Sequence, residues 1–84
     1  MKKKLVQVLW EDCEMVAENW MHPEDLELPE PGSHIQSYGI LWQEDDHAVV
    51  IAADYDSYRG NIGRATWIPK SQIKSMKTLG KLDV

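Results

Sequence analysis

Cys13 and the histidines His22, His34 and His47 are the residues of this sequence best suited to nucleophilic or metal chemistry. A cysteine nucleophile acts as its thiolate and needs a base or a cation beside it. Cys13 sits instead among Glu11, Asp12 and Glu14, and neighbouring negative charge raises a thiol pKa. The local sequence therefore points to a small side chain at the edge of a core and away from Cys–His catalysis. Cys13, His22 and His34 are spaced nine and twelve positions apart, without the short paired ligands that make zinc motifs recognisable. Asp54-Tyr55-Asp56-Ser57-Tyr58-Arg59-Gly60 opens like a calcium loop, with carboxylates in the first and third places. The likeness then fails, because Tyr58 holds the fifth place, the glycine comes one place late and Ala65 stands where a bidentate glutamate belongs. These carboxylates read as solvated turn residues, so no catalytic residue, metal or cofactor is expected.

Binding chemistry is better represented. Tyr55, Tyr58, Arg59, Asn61 and Arg64 combine aromatic faces, two guanidinium groups and the permissive backbone of Gly60 and Gly63. Such a set suits stacking on a base and holding a phosphate, although an ordinary exposed loop has the same composition. Gly60-Asn61-Ile62-Gly63 also resembles the short clamp of some RNA-binding domains, but that clamp joins helices and these flanks read as strands. Four tryptophans accompany no phenylalanine, an unusual choice because a buried indole N–H needs a partner. Trp10 and Trp67 fall on predicted strands and are expected in the core. Trp20 lies in a loop and Trp42 ends a strand beside acidic residues, so these two are the expected surface anchors for a subunit or protein interface.

The elements that must hold these residues are mostly strands. Residues 5–10, Leu-Val-Gln-Val-Leu-Trp, form a β-rich run bounded by charge. Residues 11–33 contain Pro23, Pro29, Pro31 and Gly32, which limit regular structure and predict a long, partly helical excursion. Helical turns are expected over residues 12–19 and from Pro23, where acids sit at the favourable end of a helix dipole. Residues 35–42 and 48–53 read as a hairpin across a polar connection, with Gly39 marking a bulge or sharp bend. A fourth strand over residues 64–68 stops at Pro69. A short turn leads to a last strand over residues 73–79, read as alternating apolar and polar. Five short strands with one long excursion after the first match the layout of an SH3-like barrel, closed by its C-terminal segment.

At 84 residues the chain makes one domain, because smaller pieces could not exclude water from separate cores. So small a core leaves a narrow stability margin, which association into a homo-oligomer would widen. One cysteine allows no intrachain disulfide, which fits a reducing cytoplasm. The apolar run after Lys2, Lys3 and Lys4 is cut by Glu11 and Asp12, too short for a secretory or membrane segment. The net charge of −5 disfavours direct nucleic-acid binding. Between Lys4 and Arg59 there is no Lys or Arg, while thirteen of the fourteen carboxylates lie there, so two electrostatic faces form if the fold keeps acidic and basic segments apart.

Val8, Trp10 and Asp12, then Trp20, then Ser37 and Gly39, the apolar residues 49–52, and Ile68-Pro69-Lys70 with Ile73 resemble the pattern of a family of small, mostly uncharacterised proteins encoded by phages and prophages. The resemblance spans nearly the whole chain and implies the SH3-like barrel and a viral or prophage source; it supplies no catalytic residue. The function expected is that of a non-enzymatic accessory protein in the host bacterial cytoplasm, binding a host protein through the long excursion and the loop from Tyr55 to Arg64. The alternative is an anti-defence sponge that sequesters a nucleotide-type signal, with Tyr58, Arg59 and Arg64 as its contacts. A third reading has the acidic excursion imitating a phosphate backbone.

Overall fold

β-branched residues that alternate with polar ones settle into an extended strand with one face covered, and residues 5–10 do so. In the computed structural model, which describes residues 1–12, 20–27 and 34–84, they lie within β1 (Lys2–Glu11). β2 (His34–Glu44), β3 (Ala48–Asp56), β4 (Asn61–Pro69) and β5 (Ile73–Asp83) follow. All five belong to one antiparallel sheet in the order β4-β3-β2-β1-β5, so the domain is mainly β, with the expected strands in the expected sequence. The sheet is not closed. β4 and β5 are its two edges and no ladder joins them; β5 pairs with β1 instead. The helical turns expected over residues 12–19 fall largely outside the described residues, as does Cys13. Pro23 does open a single 3₁₀ turn, Pro23–Asp25, in which the Glu24 N–H donates to His22 Nδ1 at 3.3 Å. Among the described residues no helix is long and apolar enough to cross a membrane.

The core is aliphatic. Val6, Val8, Val49, Ile51 and Ile68 form one buried cluster, with Trp10, Leu41 and Ile73 packed against it. Cross-strand partners share a face of the sheet, so the pairs Val6 with Gly39, Val8 with Ser37 and Trp10 with Ile35 define the core face of β1 and β2. The Trp10 indole N–H donates to Ser37 Oγ at 3.0 Å, which satisfies the polar end of a half-buried ring. The Lys70 N–H donates to the His47 carbonyl at 2.8 Å, and Lys70 Nζ pairs with Glu44 at 2.8 Å. These contacts tie the 3₁₀ turn Lys70–Gln72 to the β2–β3 hairpin. That hairpin is itself held by Asp45, whose Oδ1 accepts from the His47 and Ala48 N–H groups at 2.7 and 2.9 Å. These bonds to the charged form keep the Asp45 carboxyl below the usual carboxylate range.

Two expectations need correction. Trp67 is not in the core; it is 64% exposed and pairs with Val50. Ile68, fully buried, takes the inward place, and adjacent residues on a strand point to opposite faces. Nor does β5 alternate simply. Its apolar residues Ile73, Met76, Leu79 and Leu82 recur every third position, and the strand carries two bulges against β1. Leu9 and Trp10 pair with Ser75 and Ile73, leaving Lys74 extra, while Leu5 and Val6 pair with Gly80 and Thr78, leaving Leu79 extra. The first bulge returns both Ile73 and Met76 to the core face beside Trp10 and Val8.

Gly39 sits where β2 stops pairing with β1 and starts pairing with β3: Ile40 is bonded to both, its partners being Leu5 and Ala52. A Cβ at Gly39 would lie 2.9 Å from the Ala52 carbonyl oxygen and 3.2 Å from Ile51 Cβ, and neither is the end of a flexible chain. Gly39→Ala is expected to cost about 1–3 kcal/mol through overpacking, read as a lower urea midpoint at an unchanged m-value. A loss below about 0.5 kcal/mol, the range of an ordinary surface substitution, would show that the two backbones are not in contact.

Candidate functional site

Trp42 is the extra residue of a bulge. Leu41 pairs with Ile51 and Gln43 with Val50, so nothing on β3 opposes it. A bulge re-aims the side chain it carries, and here the indole ring stacks on Tyr55, with centroids 5.6 Å apart and planes 29° from parallel. Lys3 approaches from β1, its Nζ donating to the Trp42 carbonyl at 3.1 Å and lying 4.8 Å from the centre of the ring. The three residues form a half-buried stack of cation, indole and phenol, within the distance at which a cation is attracted to a ring face. Lys3 was not visible as a partner in the sequence, because only the β1–β2 register brings residues so far apart in the chain together.

The loop residues expected to act together are divided among three tasks. Tyr55 belongs to the Trp42 stack. Tyr58 and Arg59 form the tip of the β3–β4 hairpin, where Tyr58 is 92% exposed and Arg59 is also exposed. The tip is held from below by Asp56: its Oδ1 accepts from the Tyr58 and Arg59 N–H groups at 3.0 and 3.3 Å, and its carbonyl accepts from the Gly60 N–H at 2.7 Å. Gly60 takes the left-handed backbone that closes the turn, at φ 75°. Asn61 opens β4 opposite Asp56. Arg64, at φ 48°, is bound in a fork by Asp54: Nε donates at 2.7 Å and Nη2 at 3.1 Å. Both carboxylates of the apparent calcium loop are thus occupied, Asp56 as a turn acceptor and Asp54 as an ion-pair partner.

Trp20 is fully exposed and lies on the described segment 20–27. Of the expected site residues, the structure brings Trp42 and Tyr55 into contact. Sequence reasoning missed Trp67 and Tyr38 as surface aromatics; Tyr38 is 56% exposed, and its hydroxyl donates to Gln36 Oε1 at 3.2 Å. The alternation from buried Ile68 was a usable signal for Trp67. His22, His34 and His47 sit on a 3₁₀ cap, a strand start and a hairpin turn. Among the described residues no three of His, Cys, Asp and Glu gather into a metal-binding group. No family model, curated protein or solved structure matches the chain.

The Arg64 hydrogen bonds hold the Asp54 carboxyl below its ordinary value of 3.8, and desolvation opposes them only in part. A carboxylate with a depressed native pKa stabilises the fold above its unfolded pKa and loses that contribution as pH falls through the native value. The hairpin contact is therefore complete above about pH 4 and lost on further acidification. In an NMR titration Asp54 should titrate below 3.8, with the Arg64 Nε–H resonance following the same midpoint, and Asp54→Asn should abolish that transition. An Asp54 midpoint at or above the ordinary value means that the fork is not kept in solution.

Proposed function

We propose that the protein is a non-enzymatic binding module that acts on another protein through its exposed aromatic residues. The observation that carries this reading is the placement of the aromatics. Among the described residues the fully buried side chains are Val, Ile and Ala, with Trp10 packed against them, whereas Tyr38, Tyr58, Trp67 and Trp20 are exposed. Large rings are the most effective filling for a small core and the most costly to leave in water. A chain that builds its core from small aliphatics and leaves four rings outside has the composition of a recognition surface, where Trp and Tyr dominate binding energy.

The strand order and the short turn between β4 and β5 support an SH3-like arrangement as the scaffold. The resemblance to phage and prophage proteins supports a viral accessory protein whose partner is a host protein of the bacterial cytoplasm. A nucleotide sponge has less support, because a phosphate would have to displace Asp54 from the Arg64 fork. Tyr58 and Arg59 remain as a stacking surface and a cation, without the second guanidinium that the reading assigned them. The acidic-mimic reading depends on a regular array of carboxylates over residues 11–33, part of which lies outside the described residues.

The test begins with capture of a host protein by the tagged chain and proceeds to binding measured with that protein purified. Trp67→Ala and Tyr58→Ala are each exposed truncations, expected to leave stability within about 0.5 kcal/mol. At least one should weaken binding by about 2 kcal/mol, near 30-fold. If neither changes affinity, the exposed aromatics are not the binding residues. If a nucleotide panel raises Tm while no host protein binds, the sponge reading replaces this one.

A further inference from the structure

β5 is an edge strand, and among the described residues no strand lies beside its outer row of backbone N–H and C=O groups. The opposite edge is a poor template: β4 ends on Pro69, which has no N–H, and carries Arg64 at φ 48°. β5 runs for 11 residues without proline. Its pairing with β1 is regular over residues 75–78 and 80–83, interrupted by the bulge at Leu79, and a strand added outside could follow the same two windows.

Charge distinguishes this edge from an ordinary one. Lys77 and Lys81 are exposed, and among the described residues neither they nor Lys4 has an ion-pair partner. Lys2 and Lys74, by contrast, are taken by Asp83 and Glu11. Lys4 is the direct cross-strand partner of Lys81, a like-charge pairing that is destabilising when nothing offsets it. Two basic segments from opposite ends of the sequence thus meet on one ribbon. Lysines on an edge strand keep like edges apart, but that repulsion is selective. The β5 edge of a second copy would bring more lysines, whereas an acidic strand would bring the complementary charge.

We propose that the β5 edge binds an acidic extended segment of a partner protein, which adds as a sixth strand over residues 76–83. The segment would carry carboxylates opposite Lys81 and Lys77, which fall three positions apart in a strand without a bulge. It would carry apolar side chains opposite Thr78 and Met76, extending the face that holds Val6 and Val8. Met76 is 39% exposed and would be covered by such a residue. Main-chain hydrogen bonds supply affinity in strand addition, and the alternate side chains select the partner. The edge shares no residue with the exposed aromatic surface, so this inference stands or falls separately from the function proposed above.

The probe is a labelled synthetic strand peptide with glutamate at the two acidic places and valine at the two apolar ones, titrated with the full chain and read by fluorescence anisotropy. It should bind about tenfold or more tightly than the same peptide with lysine at those places, and the preference should shrink at high salt. Lys77→Glu with Lys81→Glu should reverse the preference, so that the lysine peptide becomes the better ligand; circular dichroism checks that the double variant is folded. N-methylation of an edge-facing amide should remove binding, which surface charge attraction alone would not predict. Equal binding of the two peptides, or indifference to N-methylation, overturns the proposal. So does a single-stranded oligonucleotide binding through the same lysines while the peptide does not, since the edge would then be a phosphate-binding surface.

Discussion

The close approach of two backbones at Gly39 sets the geometry on which the rest of the molecule depends. β2 serves both halves of the sheet, pairing with β1 through its first half and with β3 through its second. The change of partner takes place where a side chain at Gly39 would meet the Ala52 carbonyl. With no Cβ in the way, the strand can pass from one half to the other and bring Val6 and Val8 into one cluster with Val49, Ile51 and Ile68. Ser37, two residues earlier on the same face, accepts the Trp10 indole N–H and completes the lining. Ile68 and Ile73, on either side of the Lys70–Gln72 turn, supply the contribution of the last two strands.

A core this small leaves much of the sheet uncovered, and the longest dimension of the molecule is 55 Å. Lys2, Lys3 and Lys4 pair with the end of β5, and Asp54, Tyr55 and Asp56 pair with the start of β4, so two-stranded ribbons run on beyond the part of the sheet that β2 holds together. Two-stranded ribbons are marginal on their own in water. Each of these has its own clamps. The terminal ribbon has Lys2 with Asp83 and reciprocal backbone bonds between Met1 and Val84. The hairpin has the Arg64 fork and the Asp56 turn. The Lys3–Trp42–Tyr55 stack connects the two, joining the first residues of the sequence to the base of the hairpin.

Bulges govern what the surface displays. The three register shifts place Trp42 against Tyr55, return Met76 to the core side and leave Leu79 out of the ladder. Each adds local twist as well as an extra residue. Edge strands with bulges and lysines are poor templates for self-association, and β5 carries both. Separation of charge follows from the same topology. The antiparallel pairing of β1 with β5 unites the basic ends of the chain, while the β2–β3 turn carries Glu44, Asp45 and Asp46.

The strands and the turns between them were legible in the sequence, because they rest on local properties: β-branched composition in residues 5–10 and 48–53, the acidic turn at residues 43–47 and the absence of an N–H at Pro69. Pro23 likewise marked a helical turn. The bulge expected at Gly39 falls instead at Trp42, and Gly39 pairs with Val6 in regular register. The site was legible only in its parts. Tyr55, Tyr58, Arg59, Asn61 and Arg64 are close in sequence and share one hairpin, yet the fold gives them separate partners, since Asp54 takes Arg64 and Trp42 takes Tyr55. Local spacing can propose which residues are neighbours, but not which neighbour wins a guanidinium or a ring. The side of the sheet on which a residue falls is also a tertiary decision wherever a bulge intervenes. One extra residue at Trp42, Lys74 or Leu79 changes the face of everything beyond it, and only pairing with another strand places that residue. Local residue properties suffice to specify a small mainly β chain with its turns in place. Only the folded sheet leaves its edges open, turns Trp67 to water and joins lysines from the two ends of the chain on one β1–β5 ribbon, because strand register brings together residues that no local pattern connects.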